Sequence, residues 1–258
     1  MATVVPPSTN FEMGRVFVRT FEVIGRNLGL YLALAIVLVG LPTLVFQLMM
    51  PTTGNQVEMR QMLMTGAVSL QHWITMMAIA GFVGWILRSL LQATLMRATV
   101  EDLSDRRPNF GDCLTTGLTQ LLPIIGIAIV SAVAVGFAML LLIVPGIMLA
   151  IAWSMAVPAK VTERIGVFES FSRSAFLTKG HRWKIFWLFL ISAFVLSFAQ
   201  GVIVAAIGVF GTTAAAVVAS VLAAITAAVM TTLAATIYVE LRTLKEGTDV
   251  GTLAAVFS

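Results

Sequence analysis

Long uncharged runs separated by short charged stretches organise this chain, and a membrane-crossing helix needs about 20 consecutive apolar residues. The first run, Leu28 to Met50, stops at Pro51. It is too long for the apolar core of a signal peptide and has no A-x-A site behind it, so it reads as a retained span. A second runs from about Trp73 to Met96 with Arg88 inside it. Beyond the polar stretch Glu101 to Gln120, an uncharged run from Leu121 to Ala159 exceeds one helix, and Val144-Pro145-Gly146 breaks it into a full span and a shorter one. The last run, Ile185 to Val239, holds two spans, with Gly208 and Gly211-Thr212-Thr213 as the turn. The pattern predicts an all-α bundle of six transmembrane helices.

Shorter amphipathic stretches stand in front of the hairpins. Residues 11 to 27 put Glu12, Arg15, Arg19, Glu22 and Arg26 on one helical stripe and Phe17, Phe21, Ile24 and Leu28 on another. A second stretch opens at Pro108 and carries Phe110, Cys113, Leu114 and Leu118 on its apolar side. A third follows Gly166, where Phe168, Phe171 and Phe176 alternate with Glu169, Arg173 and Lys179. All three are predicted to be interfacial helices. The hairpin exits also look alike: Met96-Arg97-Ala98-Thr99-Val100-Glu101, Ala159-Lys160-Val161-Thr162-Glu163-Arg164 and Tyr238-Val239-Glu240-Leu241-Arg242. Two readings stand. Either one membrane domain spanning 1–258 contains three degenerate repeats, 11–107, 108–165 and 166–246, or membrane exits simply tend to carry a base and an acid.

Composition fixes the class. Hydrophobic residues make up 59% of the chain and charged ones 11%, with a mean hydropathy of +0.99, against roughly 25% charged in soluble domains. A water-soluble globular protein is excluded, and so are disordered and fibrous chains. In the six-span arrangement one side collects nearly all Lys and Arg, and the other receives only Arg60. Cytoplasmic loops gather these residues, which predicts both termini inside, a basic inner surface facing anionic headgroups, and no need for nucleic acid as a partner. The single cysteine, Cys113, and the two histidines, His72 and His181, give no basis for a disulfide, a cofactor or a metal site. Small residues at every fourth position, Ala215 to Ala227 with Ala216 to Ala228 beside them, and Ala128, Ala132 and Gly136, predict close helix approach. Trp183, Trp187, Tyr31 and Tyr238 are expected as anchors at the inner interface.

Residues 144 to 187 carry a distinctive string: Val144-Pro145-Gly146-Ile147, Trp153, Pro158, Glu163, Phe168-Glu169-Ser170, Ser172-Arg173-Ser174 and Lys179-Gly180-His181-Arg182-Trp183. This resembles the bacterial family described as the membrane domain of glycerophosphoryl diester phosphodiesterases, whose members also occur as stand-alone inner-membrane proteins. Outside this stretch the likeness rests on hydropathy and on Asp105-Arg106-Arg107-Pro108-Asn109-Phe110. The resemblance implies an inner-membrane location. It does not carry hydrolysis with it, because that chemistry belongs to a soluble barrel of a few hundred residues for which this chain has no room.

Seven residues are candidates for a lipid or anion site or for buried polar contacts. Arg88 lies within a span, with Gln92 one turn on; either it faces the interior as an anion site or it snorkels to the nearby inner end. Gln200 sits in the fifth span. Glu240 sits where the last span exits, beside Arg242 and Lys245. Arg173 stands one turn from Glu169 in an i,i+4 pair, and His181 with Arg182 lies among Lys179 and Lys184, facing lipid phosphate. Pro145-Gly146 reads as a hairpin turn, with a re-entrant break as the alternative. The clustered Met59, Met62 and Met64 around Arg60 read as a surface helix rather than a soft-metal site. The chain lacks a nucleophile, base and orienter set. The expected function is a non-catalytic integral membrane protein that organises lipid or envelope components; the alternative is a transporter of small solutes or lipid.

Overall fold

The computed structural model describes residues 11–49, 64, 70–103 and 108–247. Arg60 with Met59 and Met62, the loop residues Asp105, Arg106 and Arg107, both termini, and the side chains of His72 and Trp73 lie outside the described residues. Helix α1 (Met13–Arg26) leads into a first span made of α2 (Leu28–Ala35), a π-helical turn (Ile36–Gly40) and α3 (Leu41–Met49). Then come α4 (Leu70–Leu103), α5 (Phe110–Thr119), α6 (Leu121–Leu141), α7 (Ile143–Trp153), α8 (Ala156–Glu163), α9 (Val167–Thr178), α10 (Arg182–Gly208) and α11 (Thr212–Glu246). No strand occurs among the described residues. Six helical stretches are long and apolar enough to cross a membrane, the fourth being α7 and α8 taken together.

Local chemistry accounts for the breaks. The π turn falls just ahead of Pro42, which has no N–H to offer the Leu38 carbonyl; the ladder slips, and the Leu41 N–H reaches Ile36 instead. Pro158 does the same to the Ser154 carbonyl and separates α7 from α8. The hairpin between α6 and α7 turns on a single extended residue, Leu142, rather than on Pro145-Gly146. Pro145 instead occupies the first turn of α7, where its missing N–H costs nothing. Gly146 is needed there for space, since a Cβ would sit 2.8 Å from the Met139 backbone. The α10–α11 turn lies at Val209–Gly211, where Gly211 takes φ +126°, as the sequence pattern predicted.

At one end of the bundle α4, α8 and α11 meet around a core of Ala93, Met96, Val100, Met155, Ala159 and the run Leu233–Leu241 of α11. The amphipathic helices α1, α5 and α9 pack at this same end. Toward the other end, the close-packed seam of α11 is Ala216, Ser220, Ala224 and Ala228, one of the two predicted small-residue stripes. It meets the π turn, where a Cβ on Gly40 would lie 3.4 Å from Ala224 Cβ. The small residues of α6 are not used this way, for Ala132 and Gly136 are exposed. Tyr31 and Tyr238, expected at the lipid interface, are fully buried, because each hydroxyl finds a threonine inside: Tyr31 meets Thr99 at 2.9 Å and Tyr238 accepts from Thr162 at 2.7 Å. Trp183 and Trp187 are exposed, as anchors require.

Candidate functional site

The distinctive chemistry of the molecule is a layer of arginine–carboxylate pairs at the end where the amphipathic helices dock. It starts from the three similar exits. Each exit helix carries a glutamate, Glu101 on α4, Glu163 on α8 and Glu240 on α11; the first two exits are tied to the amphipathic helix that follows them in the chain, and the third holds α1.

Glu240, on α11, is 4% exposed and takes Arg15 Nη1 at 3.2 Å and Arg19 Nη1 at 3.3 Å, both from α1. Thr20 and Thr236 share a hydroxyl hydrogen bond of 2.8 Å one turn deeper. Glu163, at the end of α8, receives Arg173 Nε of α9 on both oxygens at 2.9 and 2.8 Å, and the Tyr238 hydroxyl donates to it at 2.6 Å. The other side of Arg173 pairs with Glu246, which Arg242 Nε also reaches at 3.1 Å. On α4 the arginine sits on the exit helix itself: Arg97 Nε donates to Glu101 at 2.7 Å, while its Nη1 donates to the Asp112 carbonyl at 2.9 Å and to Thr116, both on α5. Asp102 next to it accepts from Asn27 and pairs with Arg26 at 3.7 Å.

Electrostatics follow from this pairing. Burial works against the charge on Arg173, but hydrogen bonds to Glu163 and Glu246 overcome it and raise its pKa above the usual arginine range. Cys113, on the inward side of α5, has its thiol pushed up to about 12 by burial, with Glu101 adding to the shift. Burial lowers the His181 pKa, and Lys184 and Lys245 lower it further.

The sequence-predicted residues divide. Glu240 and Arg173 belong to the layer, but with partners other than those expected. Glu240 is not solvated with Arg242 or Lys245; it is buried against α1. Arg173 is not paired with Glu169, because Glu169 turns back to accept from the Gly166 N–H at the start of α9, at 3.3 Å, and Glu163 offers the arginine both oxygens. Arg15 and Arg19 of α1 and Arg173 of α9 therefore point into the bundle rather than toward headgroups. His181 lies outside the layer with its ring 5.7 Å from Phe11, and its Nδ1, like the Nε of Arg182, is buried without a hydrogen-bond partner among the described residues. Gln200 accepts from Thr226 of the neighbouring helix at 3.5 Å. Arg88 is exposed on the outside of α4, and Gln92 is half-buried. Arg88 is not near the latched end of its helix either, because α4 continues past Met96 to Leu103.

The amphipathic helices present their two faces in an unexpected division. What they bury is mostly small or polar: Val16, Thr20 and Val23 on α1, Cys113 and Gly117 on α5, and Ser170, Ser174 and Thr178 on α9, which also buries Phe171 and Leu177. What they leave outside includes large apolar side chains: Phe21 at 55% exposure, Leu118 at 52%, and Phe168 at 76% with Phe176 at 51%. An open groove of about 390 Å³ lies between Glu163, Ile165, Glu169, Ser172, Arg173 and Phe176. The Lys245 ammonium stands 5.0 Å from the Phe176 ring centre.

Fold and layer define a class: a multi-pass helical membrane protein with three amphipathic helices latched to one end of its bundle. In comparisons with known proteins the chain matches no family model, no curated protein and no solved structure.

Proposed function

We propose that this chain is a non-catalytic protein of the bacterial inner membrane that organises lipid or envelope components at the cytoplasmic leaflet, with both termini inside. It would be a relative of the membrane domain of glycerophosphoryl diester phosphodiesterases. The observation that carries the reading is the division of the amphipathic helices: Arg15, Arg19 and Arg173 are engaged by bundle carboxylates, and Phe21, Phe168 and Phe176 are left on the outside at the end of the molecule richest in Lys and Arg. Helices in that arrangement offer apolar side chains to the acyl boundary and leave the exposed Lys179 for anionic headgroups. The carboxylates that an intramembrane enzyme would need as acid or base are bound to arginine instead. A transporter would ask Arg88 and Gln200 to face a shared interior path, whereas Arg88 looks outward and Gln200 is bonded to Thr226.

The experiment is native mass spectrometry of protein released from mixed bilayers. Anionic lipid should be retained by the wild type and reduced when Phe21, Phe168 and Phe176 are changed together to Ser. Retention that mirrors bulk lipid composition in both proteins contradicts the reading, as does solute flux in sealed proteoliposomes that Arg88→Gln abolishes.

A further inference from the structure

Arg88 stands apart from the arginines that build the polar layer. Arg15, Arg19, Arg26, Arg97, Arg173 and Arg242 all pair with carboxylates at the latched end of the bundle. Arg88 has no ion-pair or hydrogen-bond partner among the described residues, and its side chain is exposed on α4. At 1.5 Å per residue it lies about 27 Å from the start of α4 and about 22 Å from its end, and about 13 Å above Arg97, where the polar layer begins. A hydrocarbon core is about 30 Å thick, so this is close to the midplane and not at headgroup depth. An ionised group turned toward acyl chains at that depth is costly until a counter-charge meets it.

The surface around Arg88 is shaped for a close neighbour. Met77, Gly81 and Gly84 precede it on the same face of the helix, at spacings of four, three and four residues. A Cβ built on Gly81 or Gly84 would meet nothing within 4 Å, so the glycines relieve no contact inside this chain. They leave a shallow channel in which the backbone of another helix can approach. Half-buried Gln92 continues the face one turn toward the polar layer.

The geometry points to an intramembrane docking face on α4 for one transmembrane helix of a different protein, carrying a carboxylate near its middle with small residues beside it. Charge complementarity selects that occupant over a second copy. Of the 12 acidic residues in the chain, those within the six spans (Glu101, Asp102, Glu163, Glu240 and Glu246) sit at the latched end, and the others lie outside the spans. Among the described residues, a second copy of this chain therefore has no carboxylate to bring to the depth of Arg88. The inference rests on the envelope-organising reading for the idea that the bundle gathers membrane components, and it names one of them as protein. It does not depend on lipid contact by the amphipathic helices, so the lipid-retention experiment above can fail while the following one succeeds.

The test uses the full chain in bilayer nanodiscs and a synthetic transmembrane peptide: a Leu/Ala helix with one central Glu and alanines one turn to either side, or the same helix with Gln. Energy transfer between labelled chain and labelled peptide reports association. The Glu peptide should bind about tenfold more tightly than the Gln peptide. Arg88→Gln should remove that difference, Arg88→Lys should keep part of it, and Gly84→Leu should weaken both peptides. Arg88 faces outward, so Arg88→Gln is expected to fold, and unchanged thermal unfolding verifies it. Equal binding of the two peptides by the wild type, or an unchanged ratio in Arg88→Gln, overturns the inference. So does a third result: if bilayers rich in phosphatidylglycerol abolish peptide binding and Arg88→Gln loses bound phosphatidylglycerol, the occupant is a lipid phosphate.

Discussion

The two halves of α11 are packed by different rules. From Thr232 to Leu241 every residue is buried; toward the other end only Ala216, Ser220, Ala224 and Ala228 are. Within hydrocarbon, covering a valine with another helix gains little over covering it with lipid, so helices associate there through close approach of small residues. One seam against Gly40 suffices. Where α11 leaves the apolar zone, side chains gain from burial away from water, and polar groups must find partners. Both effects concentrate at the latched end, which makes the Arg–Glu layer, rather than the long apolar spans, the place where the fold is specified.

Breaking the layer should therefore have the largest effect. Glu240→Gln leaves Arg15 and Arg19 facing an uncompensated site. Removing one member of a buried pair costs 3–5 kcal/mol, and because these arginines are partly exposed the loss should fall at the low end, about 3 kcal/mol. Unfolding in detergent should show it, with hydrogen exchange in α1 rising first. Adding Arg15→Gln and Arg19→Gln should restore part of the loss.

A size probe sharpens the contrast between the two ends. A Cβ on Gly117 would lie 2.5 Å from Thr94 Cγ2 and 2.9 Å from Leu90 Cδ1, whereas one on Gly136 would meet nothing within 4 Å. Gly117→Val should cost about 2 kcal/mol by overpacking α5 against α4, and Gly136→Val should be close to neutral. Equal losses in the two variants would remove the distinction between the halves.

The smallest effect is titration of His181. Its folded pKa lies below the ordinary value of 6.5, so the unfolded chain binds the proton more readily. Stability should fall as the pH drops through about 6.5 and level off below the folded pKa. His181→Gln should flatten that slope, which pH-dependent unfolding measures directly.

Much of the fold was written in local pattern. Uncharged runs marked the six spans, Gly211 marked the α10–α11 turn, and amphipathic periodicity marked α1, α5 and α9. Errors arose where polar residues satisfy one another. Arg97 and Glu101 read as an exit at Met96, yet their pairing with each other and with α5 lets α4 run on to Leu103. Tyr31 and Tyr238 read as interface anchors, and inward threonines bury them. The exits could be recognised as alike, but nothing local says that Glu240 receives Arg19, which lies 221 positions earlier in the chain. Such register depends on how the hairpins pack. Likewise, amphipathicity separates charged from apolar positions without saying which set faces the protein, and here the arginines turn inward.

That inward turn is the central claim, and site-directed spin labelling in vesicles tests it most directly. Labels at Phe21, Phe168 and Phe176, in a Cys113→Ala background, should collide with dissolved oxygen and be shielded from a water-soluble nickel complex. Labels at exposed polar positions of the same helices, Glu22 and Ser172, should show the reverse. If the phenylalanine positions are as open to the nickel complex as Glu22 and Ser172, the amphipathic helices do not present an apolar face to the bilayer, and the account of this end of the molecule is wrong.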